Sequence, residues 1–446
     1  MHSQALESRE IGAIESREIG AIRPQPKNVR THPRKQRNRL VESIREFGFT
    51  SPILVDEANV ILAGHARWQA AREAGLKVVP VVVIRGLSEA KKRAYVLADN
   101  KIAELAGYDR PALAAELDEL SALLAEEDLD LSLTGFDPAE IDSVFADLVD
   151  AESDPADDLP EIATHPVSRK GDLWAFGDRH RLLCDDARAA DYARLMHGEQ
   201  AAMAFTDPPY NVSIPKTLGR GRTKHPDFAM ASGEMSPAVF TTFLRDALSA
   251  AAARSVDGAL HYVCMDWRHM GEMQDAGDAV YGKLINLVVW SKTNAGQGSL
   301  YRSQHELIFV YKVGDGPHLN NVELGRHGRN RSNVWTYPGA NTFRSGRMAD
   351  LAAHPTVKPV TLVADAIRDC SRRGDIVLDP FMGVGTTILA AHRIGRRARG
   401  IEVDPLYVDA AIRRWQQVTK FDAILEGTRK TFDEVAKERR RGGRAK

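Results

Sequence analysis

The stretch Ala201-Ala202-Met203-Ala204-Phe205-Thr206-Asp207-Pro208-Pro209-Tyr210 joins a short apolar run to two consecutive prolines. The apolar residues predict a buried parallel strand over 201–205. Two prolines in a row prevent both helix formation and ladder pairing, so the strand must end in a stiff, open loop. In open α/β sheets, ligands bind beside such loops at the carboxyl ends of the strands.

The chemistry of this loop suits a planar base that carries an amino group. Asp207 supplies one acceptor, the carbonyl of Pro208 supplies a second, and Tyr210 supplies a ring for stacking. We therefore predict Asp207, Pro208, Pro209 and Tyr210 as the catalytic residues. An ordinary Pro-Pro turn with a surface tyrosine is the alternative that these four residues alone leave open.

A second motif reads Leu378-Asp379-Pro380-Phe381-Met382-Gly383-Val384-Gly385-Thr386-Thr387. It follows a strand-like segment, 375–378, and leads into a helical pattern at 388–392. Its glycines let a ligand approach the backbone at a helix start. Glu402 lies near the end of the next predicted strand, close to the spacing at which a carboxylate binds ribose hydroxyls.

Together these segments resemble the S-adenosylmethionine-dependent DNA amino-methyltransferases, which make N6-methyladenine or N4-methylcytosine, over most of residues 171–425. The resemblance implies a Rossmann-like α/β domain whose Asp207 loop holds a flipped base. The base loop precedes the cofactor loop, which is the order of the β group and implies target recognition within 211–353.

Two further pieces also resemble that family, His354-Pro355-Thr356-x-Lys358-Pro359 and the segment 177–187. Asp185 stands where the family often has glycine, while Asp186 can still supply a carboxylate. Trp290-x-Lys292 and the segment 302–306 are similar to family segments too, although a core tryptophan and a structural His-Glu pair explain them equally well. The resemblance implies these cofactor-binding residues: Asp186, Thr356, Lys358, Asp379, Phe381, Gly383, Gly385, Thr386 and Glu402.

Two basic stretches, 211–235 and 321–347, are candidates for DNA contact because arginine and asparagine suit bidentate contacts to base edges. For any single arginine, a phosphate contact from a solvated loop is the simpler interpretation. The predicted DNA-binding residues are Lys216, Arg220, Arg222, Lys224, Arg326, Arg329 and Arg331.

The N-terminal part has a different pattern, in which short predicted strands alternate with helical stretches. The strands are predicted at 53–55, 60–62 and 78–83, and the helices at 40–47 and 66–74. Gly64, Arg67 and Ala70 match the Gly-x-x-Arg-x-x-Ala motif of the ParB-like domain, whose members bind nucleotide at this helix start. Gly64, His65 and Arg67 are therefore candidate nucleotide-binding residues, while a DNA-docking or scaffold module without its own chemistry is the favoured interpretation of this domain. We see no helix-turn-helix pattern after this domain.

The net charge of −1 conceals an uneven distribution of charge. Residues 111–168 contain 17 of the 61 acidic residues and none of the 60 basic ones, so the rest of the chain carries a formal charge of +16. Such a basic remainder is expected of a phosphate-binding surface. In the acidic segment we predict a helix at 112–125 that is followed by a solvated linker. The alternative hypothesis is that the segment acts as an internal competitor and occupies the DNA channel.

Three distant cysteines predict neither a zinc site nor disulfides, and no long apolar span or leader is evident. We expect a cytoplasmic protein without membrane insertion. Two identical octapeptides, 7–14 and 15–22, begin the chain, and only the second copy is expected to enter the fold. The predicted layout is this duplication at 1–22, a small α+β ParB-like domain at 23–110, the acidic helix and linker at 111–168, the Rossmann-like methyltransferase domain at 169–430 and a basic tail at 431–446.

The sequence thus predicts a site-specific DNA methyltransferase that uses S-adenosylmethionine, needs no metal and methylates N6 of adenine. N4 of cytosine is the first alternative. A ParB-like DNA-binding or nucleotide-switched protein with an inert methyltransferase half is the second. Double-stranded DNA is the expected partner, a nucleotide and a second copy of the chain are further candidates, and a restriction-modification role is one context for the enzyme.

Overall fold

The computed structural model describes residues 13–443 except 128, 130, 147–153, 213–232, 296–299, 323–330 and 340–356. The chain divides into two compact units, Met1–Asp137 and Pro138–Lys446. This boundary divides the acidic segment 111–168, which the sequence analysis treats as one piece. Among the helices of the described residues, none has the length and apolar character that crossing a membrane requires.

The first unit contains a sheet in the order β1-β4-β2-β3. Its strands are β1 (Glu15–Glu18), β2 (Ile53–Val55), β3 (Ile61–Ala63) and β4 (Val78–Val83). The second octapeptide supplies β1, which pairs antiparallel with β4 and brings Glu15 opposite Val81. The prediction that this copy enters the fold is confirmed, and the N-terminal domain therefore begins before residue 23.

Four helices of the described residues accompany this sheet: α1 (Arg34–Phe47), α2 (His65–Glu73), α3 (Glu89–Ala103) and α4 (Arg110–Glu126). The core forms where Trp68 and Ala71 of α2 pack on the buried strand residues. Gly64 precedes α2 with φ of 99°, a left-handed conformation that favours glycine. The predicted helix start at Gly64 is therefore confirmed.

The second unit is built on one large sheet in the order β11-β9-β10-β8-β7-β12-β13-β6-β5-β14-β15. The strands are β5 (Leu173–Phe176), β6 (His180–Cys184), β7 (Ala201–Thr206), β8 (Ser255–Met265), β9 (Leu284–Lys292), β10 (His305–Lys312), β11 (Val334–Tyr337), β12 (Ile376–Asp379), β13 (Arg397–Glu402), β14 (Ala423–Leu425) and β15 (Lys430–Thr431). The five central strands from β8 to β6 run parallel to one another. Their carboxyl ends therefore lie along one edge of the sheet.

The helices of this unit connect and cover the strands. They are α5 (Pro138–Ala146), α6 (Tyr192–Met196), α7 (Pro237–Ala252), α8 (Met270–Tyr281), α9 (Val360–Cys370), α10 (Thr386–Arg393), α11 (Pro405–Thr419) and α12 (Phe432–Gly443). The core includes the fully buried rings of Trp174, Trp290 and Trp415. This arrangement is the α/β fold that the sequence predicts.

The carboxyl edge brings together loops that are distant in the sequence. β12 lies between β7 and β13, so the loop after β7 is next to the loop after β12. The latter is in turn next to Glu402 at the end of β13. Ligands of open α/β sheets bind at such a place, where connections leave neighbouring strands in different directions. The topology therefore places both predicted motifs at one site.

The described residues of the acidic segment beyond Asp137 belong to the second unit, and two of their carboxylates pair with its arginines. Asp142 on α5 forms two hydrogen bonds of 3.0 and 2.6 Å with the buried guanidinium of Arg396. Asp154 forms a similar pair with Arg393. Because these carboxylates neutralise arginines of their own domain, Asp142 and Asp154 do not fit the competitor hypothesis. Residues 147–153 of that hypothesis lie outside the described residues.

Candidate active site

Asp207 belongs to a buried cluster of charged groups at the carboxyl end of β7. Its Oδ2 accepts a hydrogen bond of 2.5 Å from Lys358 Nζ, and its Oδ1 accepts one of 2.5 Å from the hydroxyl of Tyr210. Lys358 Nζ also lies 3.0 Å from Glu306 Oε2. Lys292 donates to the other oxygen of Glu306. The cluster thus contains two carboxylates and two ammonium groups.

These charges act on one another in a partly enclosed site, where the side chains of Lys358 and Glu306 are 3% and 9% exposed and that of Asp207 is 25% exposed. Burial raises the pKa of Asp207, and the ammonium of Lys358 only partly opposes this rise. Burial also raises the pKa of Glu306, but Lys358 and Lys292 overcome it and bring that pKa to about 2. The difference between the two acids follows from their partners, since Glu306 is paired with two lysines. Asp207 is accordingly the more basic carboxylate of the pair.

Tyr210 is placed differently from a simple stacking platform. Its hydroxyl lies 2.5 Å from Asp207 Oδ1 and 3.1 Å from Glu306 Oε2, and its half-buried ring packs against the core. The hydroxyl therefore connects the two carboxylates. Stacking of its ring on a base, and acceptance by the carbonyl of Pro208, stay predictions.

Asn211 is a residue whose role the sequence analysis does not anticipate. It is buried with φ of 51°, and its side-chain amide donates to the carbonyl of Met235. Its Oδ1 accepts from the backbone nitrogens of Gly233 and Met235. Asn211 thereby ties Gly233 and Met235 to the loop that carries Asp207. An asparagine two residues after the double proline is the available signal, because asparagine tolerates a left-handed conformation.

The loop after β12 approaches Glu402 closely. One carboxylate oxygen of Glu402 accepts a hydrogen bond of 2.8 Å from the backbone nitrogen of Gly383, and the other accepts one of 2.8 Å from Asp404. Burial raises the pKa of Glu402 to about 7. A Cβ placed on Gly383 would meet no atom within 4 Å, so open space lies beside this backbone. A buried carboxylate next to an open glycine backbone fits a ligand that carries ribose hydroxyls.

Other predicted cofactor residues shape this loop from inside. Asp379 accepts from Thr387 Oγ1 at 2.6 Å and from the backbone of Phe381 at 3.1 Å. Burial raises the pKa of Asp379 to about 7. The hydroxyl of Thr386 accepts from the buried Arg414, whereas Gly385 adopts φ of 81° against α11. The contacts of Asp379, Gly385 and Thr386 are therefore structural, and their cofactor role stays a prediction.

Asp186 lies just beyond β6, whose neighbour in the sheet is β13. Arg188 donates to both of its carboxylate oxygens, at 3.1 and 2.6 Å. This guanidinium, acting against burial, lowers the pKa of Asp186. The carboxylate is thus ionised at the edge predicted for the cofactor, and it accepts hydrogen bonds from Arg188.

Arg331 is paired with acidic side chains of its own unit. Its guanidinium pairs with Asp369 at 2.9 Å and Asp365 at 3.2 Å, and it lies 4.5 Å from the ring centroid of Trp335. These contacts engage the guanidinium of a side chain that stays 17% exposed, and the DNA-binding role of Arg331 stays a prediction. The remaining predicted DNA-binding residues and one cofactor residue lie outside the described residues: Lys216, Arg220, Arg222, Lys224, Arg326, Arg329 and Thr356.

The first unit has a cavity of about 200 Å³ at the start of α2. Gly64, His65 and Arg67 line it together with Arg30 and other polar side chains. His65 Nε2 accepts a hydrogen bond from the backbone of Gln25, and burial lowers its pKa to about 4. His65 is therefore neutral and partly engaged, so the positive charge of the cavity comes from its arginines.

Comparison with known families agrees with this geometry. Residues 201–413 match the family model described as DNA methylase. This segment is a DNA methylase domain. Residues 2–101 match the ParB N-terminal domain, and residues 111–170 match the ParB-methyltransferase HTH domain. The last match assigns the acidic segment to a helix-turn-helix family, which the sequence analysis does not detect.

The DNA methylase domain has curated relatives. The chain is 27% identical over 144 residues to the Type II methyltransferase M2.MboI of Moraxella bovis, which is 31% of this chain and 51% of that protein. It is 33% identical over 140 residues to M2.DpnII of Streptococcus pneumoniae, which is 30% of this chain and 51% of that protein. The chain thus spans about half the length of these relatives.

A solved structure is similar to the same domain. The crystal structure of the complex of M1.HpyAVI with SAM has 17% sequence identity and a TM-score of 0.37. The match covers 53% of this chain and 98% of that chain.

Proposed function

We propose that this protein transfers a methyl group from S-adenosylmethionine to N6 of an adenine that is flipped out of double-stranded DNA. One observation carries the proposal. The Asp207 loop and the Gly383 loop leave neighbouring parallel strands at the same edge, inside the DNA methylase domain. A base acceptor and a cofactor cradle are thereby side by side, which direct transfer requires.

The residues present fit the cofactor. Glu402 would accept from the ribose hydroxyls, the open backbone at Gly383 would border the methionine part, and Phe381 would pack on it. Asp186 supplies a further acceptor on the neighbouring strand. When bound, S-adenosylmethionine supplies a methyl group on a positively charged sulfur, which needs only a nucleophile in line with it.

The protein must then orient a poor nucleophile, because the lone pair of an aromatic amino group is conjugated with its ring. Asp207 accepts one N–H of that group, and the carbonyl of Pro208 accepts the other. Both acceptors draw the lone pair out of conjugation and hold the nitrogen in line. Methylation makes the nitrogen acidic, and its proton passes to Asp207, whose pKa burial raises.

Adenine is preferred to cytosine in this proposal because of the first residue of the loop. In the family that the sequence resembles, aspartate at this position accompanies adenine, and serine is commoner for cytosine. Both bases present a similar amino edge, so N4 of cytosine is the alternative outcome. N6-methyladenine and N4-methylcytosine are different modified bases, so one measurement that identifies the modified base separates the two outcomes.

The test is to express wild type and Asp207→Ala in a host that lacks DNA methylation and to read the genome by single-molecule sequencing. We expect N6-methyladenine at one sequence motif with the wild type and none with Asp207→Ala. Asp433→Ala is a matched control, since Asp433 is an exposed residue of α12 that pairs with Arg413. It should methylate as the wild type does.

Each other result has a clear meaning. N4-methylcytosine would keep the reaction and change the base. An unmodified genome, in cells that contain soluble protein able to bind S-adenosylmethionine and DNA, would overturn the proposal in favour of a DNA-binding protein with an inert methyltransferase half.

We also infer that the first unit binds the phosphates of a nucleotide. The cavity at Gly64 lies at the start of α2, where backbone N–H groups favour anions, and Arg30 and Arg67 add positive charge. Calorimetry with CTP, ATP and GTP would test this inference. Arg67→Ala should abolish binding while Arg45→Ala, at an exposed position of α1, should not. Equal binding by both variants, or none by the wild type, would reject it.

A further inference from the structure

Lys358 lies between the two acids of the candidate site. The family resemblance assigns it to a cofactor segment, yet its ammonium contacts Asp207 at 2.5 Å and Glu306 at 3.0 Å. It also lies 3.0 Å from the hydroxyl of Tyr210. The side chain is only 3% exposed. A lysine so deeply buried is stabilised by its paired acids, and its position is correspondingly well defined.

The contacts fix the orientation of the Asp207 carboxylate. Lys358 occupies one lone pair of Oδ2, and the hydroxyl of Tyr210 occupies one lone pair of Oδ1. Each oxygen keeps a second lone pair for another donor. A carboxylate held at both oxygens presents these free lone pairs in a fixed direction. These lone pairs would hold the amino group of the base in one orientation, and in-line transfer of a methyl group to its nitrogen depends on that orientation.

Glu306 balances the charge that this arrangement requires. A lysine paired with Asp207 alone would withdraw electron density from the very group that must accept a proton. Glu306 shares the ammonium of Lys358 and is itself held by Lys292. Glu306 lies on β10, and its strand neighbour is β8, the strand beside β7. Glu306 on β10 thus acts on Asp207, which follows β7, through the ammonium of Lys358 that both acids share.

We propose that Lys358 and Glu306 are positioning residues that orient Asp207 and set its proton affinity for methyl transfer. This inference rests on the proposed function. It assigns to Lys358 a role in the base-binding half of the site and to Glu306 a role beyond stability. Neither residue is required to touch the base or the cofactor.

Lys358 and Glu306 act in opposite directions on the pKa of Asp207, so removing either one should change how the rate depends on pH. Asp207 faces Lys358 and Tyr210, and also Glu306 on β10, Cys264 on β8 and Asp379 on β12. Lys358 lowers the pKa of Asp207 against the effect of burial, and Glu306 raises it. Removing Lys358 should therefore move the acidic limb of the rate profile to higher pH. Removing the charge of Glu306 should move it to lower pH.

The experiment measures single-turnover methyl transfer to a duplex that carries the target motif, at saturating cofactor and across pH, for full-length Lys358→Met and Glu306→Gln. For Lys358→Met we expect a loss of about 10²-fold in rate, as for a misdirected catalytic group. Its affinity for S-adenosylmethionine should not change. The two variants should shift the acidic limb in opposite directions. Lys430→Met, which removes an exposed ammonium paired with Glu438, is the matched control and should behave as the wild type.

Further variants separate this role from a structural one. Lys358→Arg keeps the charge and should recover part of the rate, so the inference is testable even if Lys358→Met does not fold. Folded variants whose acidic limbs do not move, or move together, would overturn the inference while the proposed function stands. A wild type that transfers no methyl group would remove the proposed function and this inference with it.

Discussion

The carboxylate of Glu402 accepts a hydrogen bond of 2.8 Å from the backbone nitrogen of Gly383. This contact joins the end of β13 to the loop after β12, nineteen residues earlier in the chain. The acid therefore holds the loop in the shape that a ligand would meet. It does so at a cost, because burial disfavours the charged form of the carboxyl group.

The first prediction concerns pH. Burial raises the pKa of Glu402 from 4.5 to about 7. The folded state thus binds more protons than the unfolded state between these values, and the contribution of Glu402 to stability must fall as pH rises. The full effect is on the order of 3 kcal/mol. The unfolding midpoint in urea, measured from pH 4.5 to 8, should decline less steeply in Glu402→Gln than in the wild type.

Asp379 also has a raised pKa and contributes a decline of the same sign. The slope that remains in Glu402→Gln should therefore be reduced further in the double variant with Asp379→Asn. Parallel profiles for wild type and Glu402→Gln would show that Glu402 titrates as it does in the unfolded chain, contrary to this prediction.

A second prediction compares two glycines of the same loop. A Cβ at Gly385 would lie 3.0 Å from Ala411 Cβ, and Gly385 has φ of 81°. Gly385→Ala should therefore cost about 2–4 kcal/mol through strain and overpacking. Gly383→Ala has open space around it and should cost only about 1 kcal/mol. Its methyl group points into the proposed cradle, so its main effect should be weaker binding of S-adenosylmethionine by calorimetry. Equal stability losses in the two variants would contradict the prediction.

A third prediction follows from the position of Arg331. The guanidinium joins Asp365 and Asp369 of α9 to Trp335 of β11. Arg331→Ala should lower the thermal unfolding midpoint because it removes a guanidinium that pairs with the carboxylates of Asp365 and Asp369. The salt dependence of DNA affinity should keep its slope, since a residue that contacts no phosphate releases no counterion. A slope reduced by about one unit would support the predicted role in DNA binding.

Local features of this fold could be predicted from sequence because neighbouring residues encode them. The strand ranges 53–55 and 78–83 agree with β2 and β4, since apolar runs bounded by turn residues specify strands. The double proline after β7 and the glycines after β12 likewise predict loops at the carboxyl edge. Glu402 was found by its spacing from Gly383, which a single βαβ unit fixes.

Contacts between distant segments could not be predicted in this way. Lys358 and Asp207 are 151 residues apart, and Asp142 and Arg396 are 254 residues apart. Nothing in the local pattern of an acidic run distinguishes a solvated aspartate from one that closes on a buried arginine. Arg331 was predicted to contact DNA for the same reason, because its acidic partners lie on α9, more than thirty residues later in the chain. Only the tertiary arrangement decides which charges are neutralised internally.

The last prediction tests this internal neutralisation. Asp142 and Arg396 have side chains 2% and 0% exposed, with paired oxygens and nitrogens at 3.0 and 2.6 Å. Removing one partner of such a pair leaves the other charge buried, at a cost of about 3–5 kcal/mol. Asp142→Ala should thus lower the thermal unfolding midpoint markedly. Asp433→Ala, which breaks the exposed pair with Arg413, should cost at most about 1 kcal/mol. Similar midpoints for the two variants would return the acidic segment to the role of a solvated linker.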